Sequence, residues 1–153
     1  MRDRVTITVG TLVAIIVLAG AFWVYTMVFD AQTPANEPVE PVWGKEVCAF
    51  CQMHVTEHGF AVQAHLPHGE TVFFDDPGCY FQWESSTPAI NAVWFHHLSE
   101  NRWLKPTEVG FSKVAESPMG FGLAAVHLAE PGVLSFAAAQ ALLGKKSETK
   151  RTP

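Results

Sequence analysis

DDPGCYFQWESS, residues 75–86, carries the strongest helix-start signal in this sequence. Asp76 is an expected N-cap, because its short carboxylate can accept a hydrogen bond from a free N–H group of the first helical turn. Pro77 suits the first helical position, where no N–H is needed. The stretch therefore predicts a helix that begins directly after the TVFFD run and carries Cys79 in its first turn.

Two strands are predicted before this helix. FAVQAHL, residues 60–66, alternates apolar and polar residues as a half-buried strand does. The PHGE segment then turns the chain, and TVFFD pairs back as the second strand. The order from residue 60 to residue 86 is thus strand, strand, helix.

The same order is predicted again in the second half of the chain. AVWFHHLS, residues 92–99, and GFGLAAVHL, residues 120–128, are rich in strand-forming residues. SFAAAQALLG, residues 135–144, has Ser135 as an expected N-cap and Gly144 as an expected C-cap of a helix. The sequence therefore predicts an α+β fold in which two small β-β-α units bury their apolar faces against each other.

The N-terminal region predicts a membrane anchor. Residues 5–29 contain no charge and exceed the roughly 20 apolar residues that a helix needs to cross a bilayer. Arg2 and Arg4 precede this run and Asp30 follows it, which favours a cytoplasmic N-terminus. We therefore expect a single-pass protein of the cytoplasmic membrane, with its C-terminal domain in the periplasm or outside the cell. A cleaved secretory signal is the alternative, although its apolar region would be shorter.

These features divide the chain into five predicted segments. They are a cytoplasmic stub at 1–4, a transmembrane helix at 5–29, a Pro-rich linker at 30–43, a folded domain at 44–143 and a disordered basic tail at 144–153. Residues 30–140 hold four basic and thirteen acidic residues, a net charge of −9. Such an acidic domain disfavours nucleic acid as a partner.

CAFCQMHV, residues 48–55, is the candidate site. A Cys48–Cys51 disulfide or redox pair is one interpretation, but nothing before Cys48 resembles the strand that precedes such motifs in thioredoxin-type proteins. A closed zinc site would need a second Cys or His pair, which the sequence lacks at that spacing. Cys79 is expected to pack in the core, as most free cysteines do.

Methionine favours a third interpretation, a copper site. Met53 and Met119 are the only methionines after the N-terminal apolar run, and both lie in polar or turn-rich segments rather than at core positions. Thiolate and thioether sulfur together are soft ligands that favour Cu(I). The predicted metal ligands are Cys51, Met53 and Met119, with Cys48 as a further candidate.

CAFCQM, FDDPGCYFQW and SPMGFGLAAV resemble the nitrous oxide reductase accessory (NosL) family over about residues 44–143. The resemblance implies a Cu(I)-binding chaperone outside the cytoplasm, built of two β-β-α units related to the organomercurial lyase fold. It implies delivery of copper for the copper–sulfur cluster of nitrous oxide reductase, through a receiving enzyme or an assembly-complex partner. The family's cysteine and methionine correspond to Cys51 and Met53, and its Pro-Met-Gly turn corresponds to Met119.

Two positions differ from the family pattern. Gln52 stands where members commonly have glycine, and Ala21 stands where the lipid-bearing cysteine of a lipoprotein would be. The different anchor leaves another cuproenzyme, such as a haem-copper oxidase, as an alternative recipient. An enzyme is a further alternative, because organomercurial lyases use cysteines and an acidic residue, types that Asp75 and the three cysteines supply. We expect a carrier rather than an enzyme.

Overall fold

A computed structural model describes residues 2–32, 37–67, 69–86 and 89–149 of the chain. The chain divides into two compact units, Met1–Pro34 and Ala35–Pro153. Pro34 of the predicted linker, His68 of the predicted PHGE turn and residues 150–153 of the predicted tail lie outside the described residues.

The first unit contains helix α1, Arg2–Gln32. Its described side chains run from Leu12 to Met27 and are mostly exposed and apolar. Among the described residues, no helix combines the length and apolarity needed to cross a membrane. The prediction of a single-pass membrane protein is therefore wrong.

The second unit has an α+β fold, as predicted, and its described residues form two antiparallel sheets. The strands of the first sheet are β1 (Val62–His65), β2 (Thr71–Phe74), β3 (Ala92–His96) and β4 (Trp103–Leu104), in the order β2-β1-β3-β4. The strands of the second sheet are β5 (Val109–Lys113), β6 (Leu123–His127) and β7 (Leu134–Ser135), in the order β6-β5-β7. The first predicted strand pair is confirmed, because β1 and β2 are antiparallel with Val62 opposite Phe74.

The predicted second strand pair is wrong. β3 does not pair with β6 but adds to the free edge of β1, with Ala64 opposite Val93. β6 pairs instead with β5. The sequence patterns did not predict β5 as a strand, because Gly110 and Lys113 in it disfavour strand structure. The central residues of β3 are buried whichever face of the sheet they occupy. Such a strand needs hydrogen-bonded neighbours on both edges, which β1 and β4 supply.

The described residues of the second unit also contain two α-helices and a short 3₁₀ helix, His58–Phe60. Helix α2, Pro77–Glu84, begins as predicted: Asp76 is its N-cap, with Oδ1 accepting a 2.7 Å hydrogen bond from the Gly78 N–H. Helix α3, Phe136–Thr149, does not end at Gly144 as predicted. Lysine and glutamate in the following KKSET segment favour helix, so residues 145–149 continue α3 and are not a disordered tail.

An aromatic cluster joins the helices to both sheets. The ring of Phe81 on α2 lies 6.0 Å from Phe95 of β3, 5.5 Å from Phe111 of β5 and 5.3 Å from Phe136 of α3. All but Phe136 are fully buried. This packing, rather than a pairing of two β-β-α units, fixes α2 against the sheets.

The described end of the predicted linker is part of the second unit rather than a spacer. The Gln63 side chain is fully buried and forms two hydrogen bonds with the backbone of Val39. Its Oε1 accepts the Val39 N–H at 2.7 Å, and its Nε2 donates to the Val39 carbonyl at 2.9 Å. The sequence did not predict this contact, because nothing in the Pro-rich segment indicates that a buried glutamine from a distant strand binds its backbone.

Candidate metal centre

Three cysteine thiols meet at one end of the first sheet. The Sγ atoms of Cys48, Cys51 and Cys79 all lie within 4.8 Å of one another, and all three thiols are free. Cys48 and Cys79 are fully buried, whereas Cys51 is partly exposed. The three residues are called the thiol cluster below.

Cys48 and Cys51 meet because the chain between them makes a tight loop. The Cys48 N–H donates to the Met53 carbonyl at 2.8 Å, and the Gln52 N–H donates to the Cys48 carbonyl at 3.0 Å. A β-bridge between Val47 and His54 closes the base of the loop. The loop thus turns Cys51 back over Cys48.

Gln52 adopts a left-handed backbone conformation, with φ of 64°. Side chains with a Cβ adopt this conformation at a cost, and glycine adopts it readily. The Gln52 Nε2 donates to the Cys48 carbonyl at 3.3 Å, a local hydrogen bond that offsets part of this cost. A glycine, which the resembled family commonly has here, would fit the same backbone without strain.

Cys79 reaches the cluster through the abrupt passage from β2 into α2. Cys48 forms a parallel bridge with Phe73 of β2, and the Ala49 N–H donates to the Phe73 carbonyl at 2.9 Å. Asp76 starts α2 only two residues after β2 ends. The first turn of the helix therefore lies beside the loop, and Cys79 adjoins Cys48.

The thiols differ in acidity. A hydrogen bond from the Cys79 thiol, with others from the backbone N–H groups of Cys51, Asp75 and Phe50, lowers the pKa of Cys48 to about 5 despite its burial. The same bond to the Cys48 thiolate, together with burial, raises the pKa of Cys79 far above its ordinary value. Burial is the main cause that raises the pKa of Cys51. Near neutral pH the cluster therefore holds one thiolate and two thiols.

A buried carboxyl group stands next to the cluster. The Asp75 side chain is 2% exposed, and its Oδ1 has no hydrogen-bond partner among the described residues. Burial is the main cause that raises its pKa, and the negative charge of Cys48 acts in the same direction. An uncompensated buried carboxylate is costly, so this group favours its protonated form more than an exposed aspartate does.

The predicted methionine ligands differ in burial. Met53 follows Cys51 in the loop and is 52% exposed. Met119 is partly buried against the core, and its N–H donates to Asp76 Oδ2 at 3.2 Å. This bond joins the turn that carries Met119 to the start of α2. The roles of both thioethers as ligands stay predictions.

Cys79 is the site residue that sequence reasoning misjudged. It does pack in the core, as expected, but it also completes the thiol cluster. The signal was present in the sequence, since the Asp76 and Pro77 helix start placed Cys79 in a first turn. What was missing was the contact between that turn and the loop at 48–53.

The thiol cluster can hold a metal ion, and its donor set selects the class of ion. Three sulfur donors suit soft cations such as Cu(I), and also zinc, rather than magnesium or calcium. The metal itself is not identified by this arrangement. No family model matches the chain, and no curated protein or solved structure is significantly similar to it.

Proposed function

We propose that this protein is a Cu(I) metallochaperone that carries its ion in the thiol cluster and delivers it to a copper enzyme. One observation carries the proposal: Cys48, Cys51 and Cys79 place three Sγ atoms within 4.8 Å of one another, although they come from a loop and a helix. Cu(I) is cargo here, so the site must bind it tightly and still release it.

The burial of the three thiols supports a carrier. Cys48 and Cys79 are shielded from water, which protects a Cu(I) ion from solvent. Cys51 is partly exposed and is the sulfur that an incoming ligand can reach first. Transfer then proceeds by ligand exchange, in which a partner's sulfur replaces Cys51 before the inner thiolates release the ion.

The residues beside Cys51 suit contact with a partner. Phe50 is 45% exposed, as is Val47, and Met53 is 52% exposed. Exposed apolar side chains around a reactive group are typical of protein–protein contact sites. Met53 also offers an outer thioether that can hold Cu(I) during the exchange, as the sequence predicted.

The recipient is proposed from the resemblance to the NosL family. That resemblance favours the copper–sulfur cluster of nitrous oxide reductase, reached directly or through an assembly complex. A haem-copper oxidase is the alternative recipient. The two are distinguished by mixing the Cu(I)-loaded protein with each copper-free enzyme and measuring the copper transferred.

The first test is a competition titration of the reduced full chain against a Cu(I) chelator. We expect one Cu(I) per chain, and a much weaker affinity for Zn(II) measured against a zinc chelator. An affinity for Zn(II) equal to that for Cu(I) would contradict the proposal. The melting temperature should rise with bound Cu(I), because an ion that binds only the folded chain stabilises it.

A second candidate function is cleavage of an organomercurial. The buried Asp75 favours it, because a raised-pKa carboxyl next to three thiols supplies both a proton donor and soft ligands for mercury. The test is turnover of an organomercurial by the reduced chain, with Asp75→Asn as the comparison. Turnover that depends on Asp75 would favour this enzyme, whereas stoichiometric metal binding without turnover favours the carrier.

A further inference from the structure

The three thiols of the thiol cluster differ in their access to solvent. Cys48 and Cys79 are fully buried, whereas Cys51 is partly exposed on the loop at 48–53. All three cysteines are free thiols. Reaction of a thiol with a molecule from solution requires access to its sulfur. Cys51 is therefore the thiol that such a molecule meets first.

Cys48 is the thiol best placed to form a bond with Cys51. The Gln52 N–H donates to the Cys48 carbonyl at 3.0 Å, so residues 48–52 make a single turn of the α-helical kind. Residues three positions apart in such a turn are neighbours on one side of it. The two Sγ atoms already lie within 4.8 Å of each other, and adjustment of the loop alone brings them to the ~2.0 Å of a disulfide bond.

Cys79 is held more firmly than the loop. It lies in the first turn of α2, where Asp76 Oδ1 accepts the Gly78 N–H at 2.7 Å. The Phe121 ring fills the space beside Gly78 that a Cβ would occupy, so this turn is closely packed. A bond to Cys79 would require the loop and a packed helix to move together. Cys79 is therefore the thiol that stays reduced when Cys48 and Cys51 join.

The surface beside Cys51 is apolar. Val47 and Phe50 are each 45% exposed, and Met53 is 52% exposed. Contact with these side chains removes the organic groups of an incoming molecule from water, which favours its approach. The opening therefore suits a small organic compound better than a strongly hydrated ion.

We propose that Cys51 and Cys48 form a thiol–disulfide exchange site that takes small organic disulfides. Cys51 reacts first, Cys48 completes the intramolecular bond, and Cys79 remains a thiol. The disulfide bond itself needs neither copper nor the proposed chaperone function.

The reaction has two exchange steps. The Cys51 thiolate attacks one sulfur of the organic disulfide, whose S–S bond breaks, and one organic thiolate leaves. The Cys48 thiolate then attacks the Cys51 sulfur of this mixed disulfide, and the second organic thiolate leaves. Counted from two thiols, the cysteines lose two hydrogens and two electrons, and the organic disulfide becomes two organic thiols.

This reaction would also regulate the copper site, a consequence that rests on the proposed function. The Cys48–Cys51 bond removes two of the three sulfur donors of the thiol cluster and leaves only Cys79. A single thiol holds Cu(I) far less well than three, so the oxidised chain should release its ion. Reduction by an organic thiol restores the site.

The test uses the reduced, metal-free full chain and bis(2-hydroxyethyl) disulfide, which is small and uncharged. After the reaction the chain is unfolded, its free thiols are labelled with a maleimide, and its mass and its peptides are measured. We expect a chain that has lost two hydrogens, carries one label at Cys79 and contains the Cys48–Cys51 bond. A bond that includes Cys79, or three labelled thiols after reaction with excess disulfide, would overturn the proposal.

Three variants test the order of the steps. Cys51→Ser changes a partly exposed side chain, so the fold should persist, and it should react at least about tenfold more slowly because the other thiols are buried. Cys48→Ser should stop at the mixed disulfide on Cys51. Cys79→Ser is the matched control and should still form the Cys48–Cys51 bond. Reaction of Cys51→Ser at the wild-type rate would exclude Cys51 as the first thiol.

The same reaction on the chain loaded with one Cu(I) separates this proposal from the proposed function. Bound Cu(I) should slow formation of the disulfide, because it occupies the thiols that react. A chain that binds no Cu(I) but forms the Cys48–Cys51 bond would contradict only the chaperone. A chain that binds Cu(I) but forms no disulfide when metal-free would contradict only the exchange site.

Discussion

The sulfur atoms of Cys79 and Cys48 lie within 4.8 Å of each other, and both side chains are fully buried. This contact joins the first turn of α2 to the loop that carries Cys51. It also makes the two thiols unequal in acidity, since interaction with Cys79 lowers the pKa of Cys48 and interaction with Cys48 raises the pKa of Cys79. Several measurable properties depend on this one contact.

Removal of Cys79 should weaken Cu(I) binding. Cys79→Ala deletes one of three sulfur ligands, and we expect a loss in affinity of more than about tenfold, as large as that of Cys51→Ala. Chelator competition measures it. Met119→Leu is the comparison, because it deletes the sulfur of a predicted ligand and keeps the side-chain volume. Wild-type affinity in Cys79→Ala, with the fold intact by circular dichroism, would exclude Cys79 as a ligand.

Cu(I) binding should release about two protons near pH 7, not three. A ligating cysteine must be a thiolate, and Cys48 already is one because its pKa is about 5, whereas Cys51 and Cys79 must each lose a proton. A pH indicator in weakly buffered solution measures the release. Release of three protons would show that Cys48 is a thiol in the metal-free chain. Below pH 5 Cys48 should also protonate, and the affinity should fall more steeply.

The stability of the metal-free chain should increase with pH between 7 and 9. The pKa of Cys48 is about 5 in the folded chain and about 9.0 in the unfolded chain, so its stabilisation is complete above pH 9 and is lost as the pH falls toward 5. His65, whose pKa burial lowers from 6.5, acts in the same direction only at lower pH. Urea unfolding at pH 7, 8 and 9 measures the slope.

Cys48→Ala is the control for this slope. The variant should show a flatter dependence of unfolding free energy on pH from 7 to 9 than the wild type does. Above pH 9 the wild type should lose stability, because the raised pKa of Cys79 opposes its ionisation in the folded chain. A slope that is identical in both proteins would mean that Cys48 is not a thiolate.

Gln52→Gly should be tolerated or stabilising. Relief of the left-handed strain favours the variant by about 1 kcal/mol, and loss of the side-chain bond to the Cys48 carbonyl offsets part of this gain. Gln52→Val, whose branched Cβ suits this conformation poorly, should destabilise the chain. The melting temperatures of the wild type, Gln52→Gly and Gln52→Val rank their stabilities. A Gln52→Gly chain that is less stable than the Gln52→Val chain would contradict the proposal that the backbone at this position is strained.

Asp76 and Asp75 should respond differently to substitution. Asp76→Ala removes the N-cap of α2 and the acceptor of the Met119 N–H, and should cost about 1–3 kcal/mol of unfolding free energy. Asp75→Asn removes a buried carboxyl whose raised pKa makes folding less favourable as the pH rises above 3.8.

Urea unfolding at neutral pH measures both variants. We expect Asp75→Asn to be neutral or stabilising there, because an amide carries no charge to bury. Equal losses of stability in the two variants would show that Asp75 has a charged partner in the folded chain.

The sequence by itself determined the local elements of the second unit. The Asp76 and Pro77 helix start, the β1 and β2 hairpin and the α+β class all follow from signals a few residues long, namely caps, turns and alternating burial. The cysteines and methionine of CAFCQMHV identified the loop at 48–53 as the candidate site. Each depends on chemistry within one helical turn or one strand, which neighbours in sequence supply.

Only the tertiary structure decided which elements adjoin. β3 pairs with β1 because a strand that is buried on both faces is stabilised most in the centre of a sheet. Nothing in the sequence of the segment 92–96 identifies β1 as its partner. The contacts of Cys79 with Cys48 and of His97 with His127 also join residues that are distant in sequence. Contacts between residues distant in sequence depend on how whole elements pack, and a short sequence pattern does not encode that packing.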